Sequence, residues 1–189
     1  MVSNGKLALS LFCRALVGVI WSLIVFILLG MFIEHPAGQA LVAVVSIFFY
    51  LSFIYSGAWN QGFKDANYVK FGHIAENKNR GLLCGALAMI PNVAVALIYY
   101  IGRYAVGGLA FSYINVGTRI YFLPFLVPFD LWLEQFPFLV AVAAVAMLPA
   151  AFLGYRLGYA DLSILERLIY KNMGKRGQTL SAKRRGKLK

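Results

Sequence analysis

The chain has 189 residues, 61% of them apolar and only 13% charged, with a mean hydropathy of +0.73. Soluble domains carry roughly 25% charged residues, so this balance excludes an ordinary water-soluble globule and reads as an all-α integral membrane protein. The net charge of +11 therefore matters by position, and two cysteines, Cys13 and Cys84, are too few for a disulfide framework; both are expected as reduced, small packing residues.

A hydrocarbon core about 30 Å thick takes about 20 residues of helix. Uncharged runs of that length cover residues 15–33, 37–59, 81–102 and 135–155, and with their flanks they give four spans over about 12–33, 37–59, 81–103 and 135–158. The first run exceeds the roughly 7–15 apolar residues of a signal-peptide core, so it reads as a retained helix. It stops at Glu34-His35-Pro36, where two ionisable groups meet a helix breaker. The short connection makes the first two helices an antiparallel hairpin.

The second run leaves through Ala58-Trp59-Asn60-Gln61-Gly62-Phe63-Lys64-Asp65, and a similar pattern, Gly154-Tyr155-Arg156-Leu157-Gly158-Tyr159-Ala160-Asp161, ends the fourth run 96 positions later. If the two exits pack together, the halves form a parallel two-plus-two repeat of hairpins, related by an axis along the membrane normal. The two aspartates are expected to cap the segments that follow. Residues 60–80, with Lys64, Lys70, Lys78 and Arg80 against Asp65 and Glu76, read as a hydrated cytosolic loop. His73 and Glu76, even joined by Asp65, are too few and too loosely spaced to be expected as a metal site.

The third run opens with Gly81-x-x-x-Gly85, a spacing that admits a close helix neighbour. Pro91 lies halfway along it, where it frees the carbonyl of Leu87 and kinks the helix; beside it, Asn92 is the most polar side chain at that depth. Residues 104–134 are apolar but broken by Gly107, Gly108, Gly117, Arg119, Pro124 and Pro128. An unpaired Arg in mid-span costs several kcal/mol, so this stretch is expected as an external interfacial or re-entrant segment lying along the outer surface, not a fifth span. In the fourth run Ala146, Ala150, Gly154 and Gly158 recur every four residues as a packing face, and Pro149 interrupts the helix.

Residues 1–161 are thus one four-helix transmembrane domain, followed by an amphipathic helix and polybasic cytosolic tail over 162–189. Leu162, Leu165, Leu168 and Ile169 recur at helical spacing, and Lys171, Lys175, Arg176, Lys183, Arg184, Arg185, Lys187 and Lys189 follow with no acid after Glu166. With both termini cytosolic, 16 of the 18 Lys and Arg fall inside and only Arg103 and Arg119 outside, the asymmetry expected of a multi-pass protein of the cell membrane.

No nucleophile–base pair, paired acids, phosphate-binding loop or metal-ligand spacing occurs, so neither an enzyme nor a cofactor is expected. The expectation is a scaffold, accessory or regulatory subunit whose partners are anionic inner-leaflet lipid and another membrane protein or a second copy of itself. The alternative is a channel or non-ion-coupled transporter subunit working as an oligomer, in which Pro91, Asn92 and Pro149 break helices beside a pathway. The tail lacks stacking aromatics, and nucleic acid is not the expected partner.

Overall fold

The computed structural model of the chain describes residues 3–73, 75, 77 and 79–160. Every regular element among them is helical. Four helices are long and apolar enough to cross a membrane: Asn4–Phe32, Pro36–Lys70, Arg80–Val106 and Leu139–Tyr159.

The first comprises α1 (Asn4–Leu29) and one 3-10 turn. Ser3 caps α1 by accepting a hydrogen bond from the Lys6 amide at 3.3 Å. After the turn at Ile33–His35 the chain enters α2 (Pro36–Lys70) with Pro36 in its first turn, where the missing N–H costs nothing. Gly38 is required here, because a Cβ would collide with the Phe32 backbone. In the antiparallel hairpin that results, Gly18 packs on Tyr50 and the Arg14 side chain lies across Gly57.

α3 (Arg80–Ile101) contains Pro91 and runs into a π-helical turn, Gly102–Val106. The fourth long apolar helix is α6 (Leu139–Val145) followed by α7 (Met147–Tyr159). Pro149 has no N–H for the Val145 carbonyl, yet Ala146 between the pieces keeps helical dihedrals (φ −54°, ψ −29°), so the helical path continues across the break. α1 packs on α2 and α3, and α7 packs on the same two helices.

The two exits touch. Gly62 sits against the backbone of Tyr155 and Tyr159, and Gly158 sits against the backbone of Trp59. Adding 96 to the residues of one contact gives those of the other, since Gly62 becomes Gly158 and Trp59 becomes Tyr155. Ala58 and its equivalent Gly154 meet each other between these two contacts. The stacked rings Trp59 and Phe63 likewise correspond to the stacked rings Tyr155 and Tyr159. α2 and α7 therefore run parallel, and their contact has the symmetry of a two-fold axis along the helices.

The structure corrects the sequence expectations at three places. Residues 60–70 are not a loop but the last three turns of α2, and Asp65 is a buried mid-helix residue, not a cap. Residues 104–134, expected as an interfacial or re-entrant segment along the outer surface, turn back into the bundle, which departs from the interfacial alternative and not from the re-entrant one. α4 (Gly108–Tyr121) descends beside α3, packing Phe111 and Ile114 onto Gly102, and a 3-10 turn, Leu123–Phe125, reverses it. The return helix α5 (Leu126–Trp132) then packs Val127 with Val25 and Val42. The segment is a hairpin inserted into the bundle. Cys13, finally, is exposed instead of packed, whereas Cys84 is buried. Asp161, the amphipathic helix and the basic tail lie outside the described residues, as do Glu76 and Lys78.

Candidate functional site

At the end of the bundle that carries the start of α1, a cluster of five side chains from all four long helices is built around one carboxylate, which accepts from three of them. Asp65 is 2% exposed and Arg80 4%. Asp65 Oδ2 accepts from Arg80 Nη1 at 2.5 Å and from the Tyr155 hydroxyl at 2.8 Å, while Oδ1 accepts from Gln61 Nε2 at 2.8 Å. Arg80 Nε donates to Asn4 Oδ1 at 2.9 Å. The sequence makes this possible because Gly81 leaves room for the Tyr155 ring, into which a Cβ there would project. Gln61 and Asp65 lie one turn apart on the same face of α2. With three donors on one buried carboxylate, the chemistry available is mutual fixation of the helices: neither oxygen is left bare for proton transfer or a metal.

The second polar site is at mid-height, since Tyr50 lies midway between Pro36 and Asp65, and Asn92 midway between Arg80 and Val106. Asn92, 3% exposed, accepts through Oδ1 from the Tyr121 hydroxyl at 2.8 Å and donates through Nδ2 to the Met147 sulfur at 3.4 Å. Tyr50 lines the same small cavity as Asn92 and Tyr121. Tyr121 is the last residue of α4, so this bond holds the tip of the inserted hairpin against α3. Phe125 completes the tip, its ring edge-on to Tyr50 at 5.8 Å. A cavity of about 10 Å³ opens among Phe12, Leu16, Tyr50, Asn92, Tyr121 and Phe125, room for about one water. Its lining carries no ionisable group other than tyrosine.

Two further arginines brace the inserted segment, Arg103 at the far end of the bundle and Arg119 near the hairpin tip. Arg103 Nη1 donates to the Tyr99 hydroxyl at 3.1 Å and its Nη2 to the Glu134 carbonyl at 3.3 Å. Arg119 on α4 pairs with Asp130 on α5 and bonds Asn115. Paired across the hairpin, Arg119 stiffens it.

Of the packing residues read from sequence, Gly81 and Gly85 face α7, meeting Tyr155 and Ala151, while Gly154 and Gly158 face α2. Ala150 is buried with them, but Ala146 is only half-buried, at the break. Pro91 lies inside α3, which stays helical through it, Pro149 follows the break between α6 and α7 at Ala146, and Asn92 is drawn into the mid-height site. Lys171, Lys175, Arg176, Lys183, Arg184, Arg185, Lys187 and Lys189 lie outside the described residues. Sequence reasoning missed Asp65, Arg80, Gln61, Tyr155, Tyr50 and Tyr121. One signal was present for Asp65, which continues the buried stripe Ile54, Ala58, Gln61 and Gly62 at helical spacing. Among the described residues no three His, Cys, Asp or Glu are grouped to hold a metal ion. Comparison of the chain with known protein families, with curated proteins and with solved structures returned no match.

Proposed function

We propose that the chain is a multi-pass protein of the cell membrane, both termini in the cytosol, that works as a scaffold, accessory or regulatory subunit of a larger membrane assembly. The observation that carries this reading is the Asp65–Arg80–Tyr155 cluster. The charges buried at the α1-start end fix four helices to one another and leave no open acceptor for a substrate. Such a frame presents constant outer faces to a partner helix, which suits a structural role better than a catalytic one. The basic segment from Lys171 to Lys189 adds contact with anionic lipid or a partner, each engaged Lys or Arg contributing about 1 kcal/mol.

The orientation rests on charge. The cluster end gathers the start of α1, the end of α2, the start of α3 and the end of α7, and among the described residues Lys6, Arg14, Lys64, Lys70, Arg80 and Arg156 lie on those segments, against Arg103 and Arg119 elsewhere. The α2/α7 contact supports a parallel two-plus-two repeat. A reporter fused after Lys189 is expected to read cytosolic, and an external reading refutes the topology. Purification in mild detergent is expected to recover a stoichiometric partner or a homo-oligomer; a clean lone monomer contradicts the scaffold role.

One observation favours a second reading, a channel or non-ion-coupled transporter subunit. The tip of the inserted hairpin meets Asn92 at mid-height, beside Pro91 of α3 and the break between α6 and α7. Non-helical backbone at membrane depth occurs where it is buried in protein or lines a cavity. This reading predicts solute flux in proteoliposomes that Asn92→Leu abolishes; equal flux in wild type, variant and empty vesicles removes it.

A further inference from the structure

Arg14 differs from Arg80, Arg103 and Arg119, and also from Arg156, which is exposed and lies over the Phe152 ring at 5.5 Å. Arg80, Arg103 and Arg119 all bond carboxylates, carbonyls or hydroxyls, whereas no hydrogen bond or ion pair to Arg14 occurs among the described residues. Neither helix beside it offers one. α1 contains no acid, and the only acid of α2, Asp65, is buried and already accepts from Gln61, Arg80 and Tyr155.

The side chain is nevertheless seated. It is half-buried in the seam between α1 and α2, directly over Gly57. A Cβ on Gly57 would lie 2.6 Å from Arg14 Nε and 3.2 Å from Cζ, so the glycine makes the room. Its depth is set by neighbours. Arg14 is one turn, about 6 Å of helix rise, from Gly18, which packs on Tyr50 at mid-height. That places it inside a hydrocarbon layer extending about 15 Å to either side. A cation at such depth is accommodated by reaching headgroup phosphate or water, and a helical side chain leans toward the helix N-terminus, the direction of the nearer surface.

The rest of the seam fits an amphiphile. Toward the surface, Ser10 is one turn before Arg14 and Lys64 two turns after Gly57, both exposed, with Asn60 between the last two. Toward mid-height the seam turns aromatic, with Trp21 on Phe49 at 5.5 Å and on Phe53 at 6.4 Å. A guanidinium presents a planar fork of donors matched to phosphate, and basic pockets between transmembrane helices take anionic headgroups.

We propose that the α1/α2 seam is a binding site for one anionic phospholipid, its phosphate on Arg14 and Lys64 and its acyl chain along Trp21, Phe49 and Phe53. The proposal rests on the membrane-spanning reading and is separate from any lipid contact of the tail.

The test is native mass spectrometry of the full chain titrated with phosphatidylglycerol or phosphatidylcholine, every variant keeping the tail intact. Wild type is expected to retain phosphatidylglycerol at least fivefold better than phosphatidylcholine. Arg14→Gln and Gly57→Ala should each lower that retention about fivefold at unchanged thermal stability, and Lys64→Gln, at an exposed position that the fold does not use, about twofold. Equal retention by wild type, Arg14→Gln and Lys64→Gln overturns the proposal, as does equal retention of the two lipids. Displacement of the lipid by millimolar glycerol phosphate also overturns it, because the site would then serve a free phosphate. Release of the chain from membranes by alkaline carbonate is a different result, which refutes the spanning reading itself.

Discussion

Replacing Asp65 by Asn is expected to destabilise the fold by about 3–5 kcal/mol, the cost of leaving one member of a buried ion pair without its partner. Asn keeps the shape of the side chain. It removes the charge that Arg80, 4% exposed, faces at 2.5 Å, and it turns one acceptor oxygen into a donor pointing at other donors, whether Arg80, Tyr155 or Gln61. Even the lower figure shifts the folding equilibrium by about a hundredfold, at 1.4 kcal/mol per factor of ten. Removing both charges with Asp65→Leu and Arg80→Leu should cost less than the two single changes added, by about 0.5–3 kcal/mol, because neither charge is then stranded. The assay is denaturant titration of the detergent-solubilised chain, followed by tryptophan fluorescence. Trp59, stacked on Phe63 beside the cluster, reports its loss. An Asp65→Asn variant within about 0.5 kcal/mol of wild type, or additive single and double variants, would refute the assignment of the cluster as the clamp of the bundle.

The glycines should divide by neighbourhood. Gly62→Ala and Gly158→Ala each push a methyl into the backbone of the facing helix and are expected to cost about 1–3 kcal/mol by the same titration, in similar amounts because the contacts are symmetric. Gly117→Ala, with nothing within 4 Å, should instead stabilise α4 by about 1 kcal/mol through helix propensity; a loss there contradicts the open face. Tyr121→Phe leaves Asn92 Oδ1 without its donor from α4, a cost of about 1–3 kcal/mol. Loosening of the hairpin tip should then speed tryptic cleavage at Arg119 about tenfold, and an unchanged rate rejects the tip contact.

The four long apolar helices were legible because length and hydropathy sufficient to cross a bilayer can be read from the sequence alone, and the packing face of α7 because Ala150, Gly154 and Gly158 repeat at helical spacing. The clamp was not. Its members are spread over Asn4, Asp65, Arg80 and Tyr155, and nothing local marks the Asp and Arg as partners instead of surface charges; the polar composition of residues 60–70 hid a helix that only the packing of Gly62 on α7 makes evident. For the hairpin, the glycines and prolines together with Arg119 argued against a crossing. They could not give its depth, which the Tyr121–Asn92 bond and the packing of Phe125 on Tyr50 determine. The 58–65 echo lay between these cases: its pattern was visible, but its meaning depended on whether the two copies touch.

That contact is also the most direct test of the fold. With Cys13 and Cys84 replaced by Ala, Ala58→Cys and Gly154→Cys are introduced together and oxidised in native membranes. A Cβ on Gly154 would lie 3.1 Å from that of Ala58, near the roughly 3.5–4.5 Å separation of a disulfide. After proteolysis in the connection between α2 and α3, the two halves should stay joined without reductant and separate with it. Halves that part without reductant, or a disulfide formed only between chains, would contradict the parallel packing of α2 on α7.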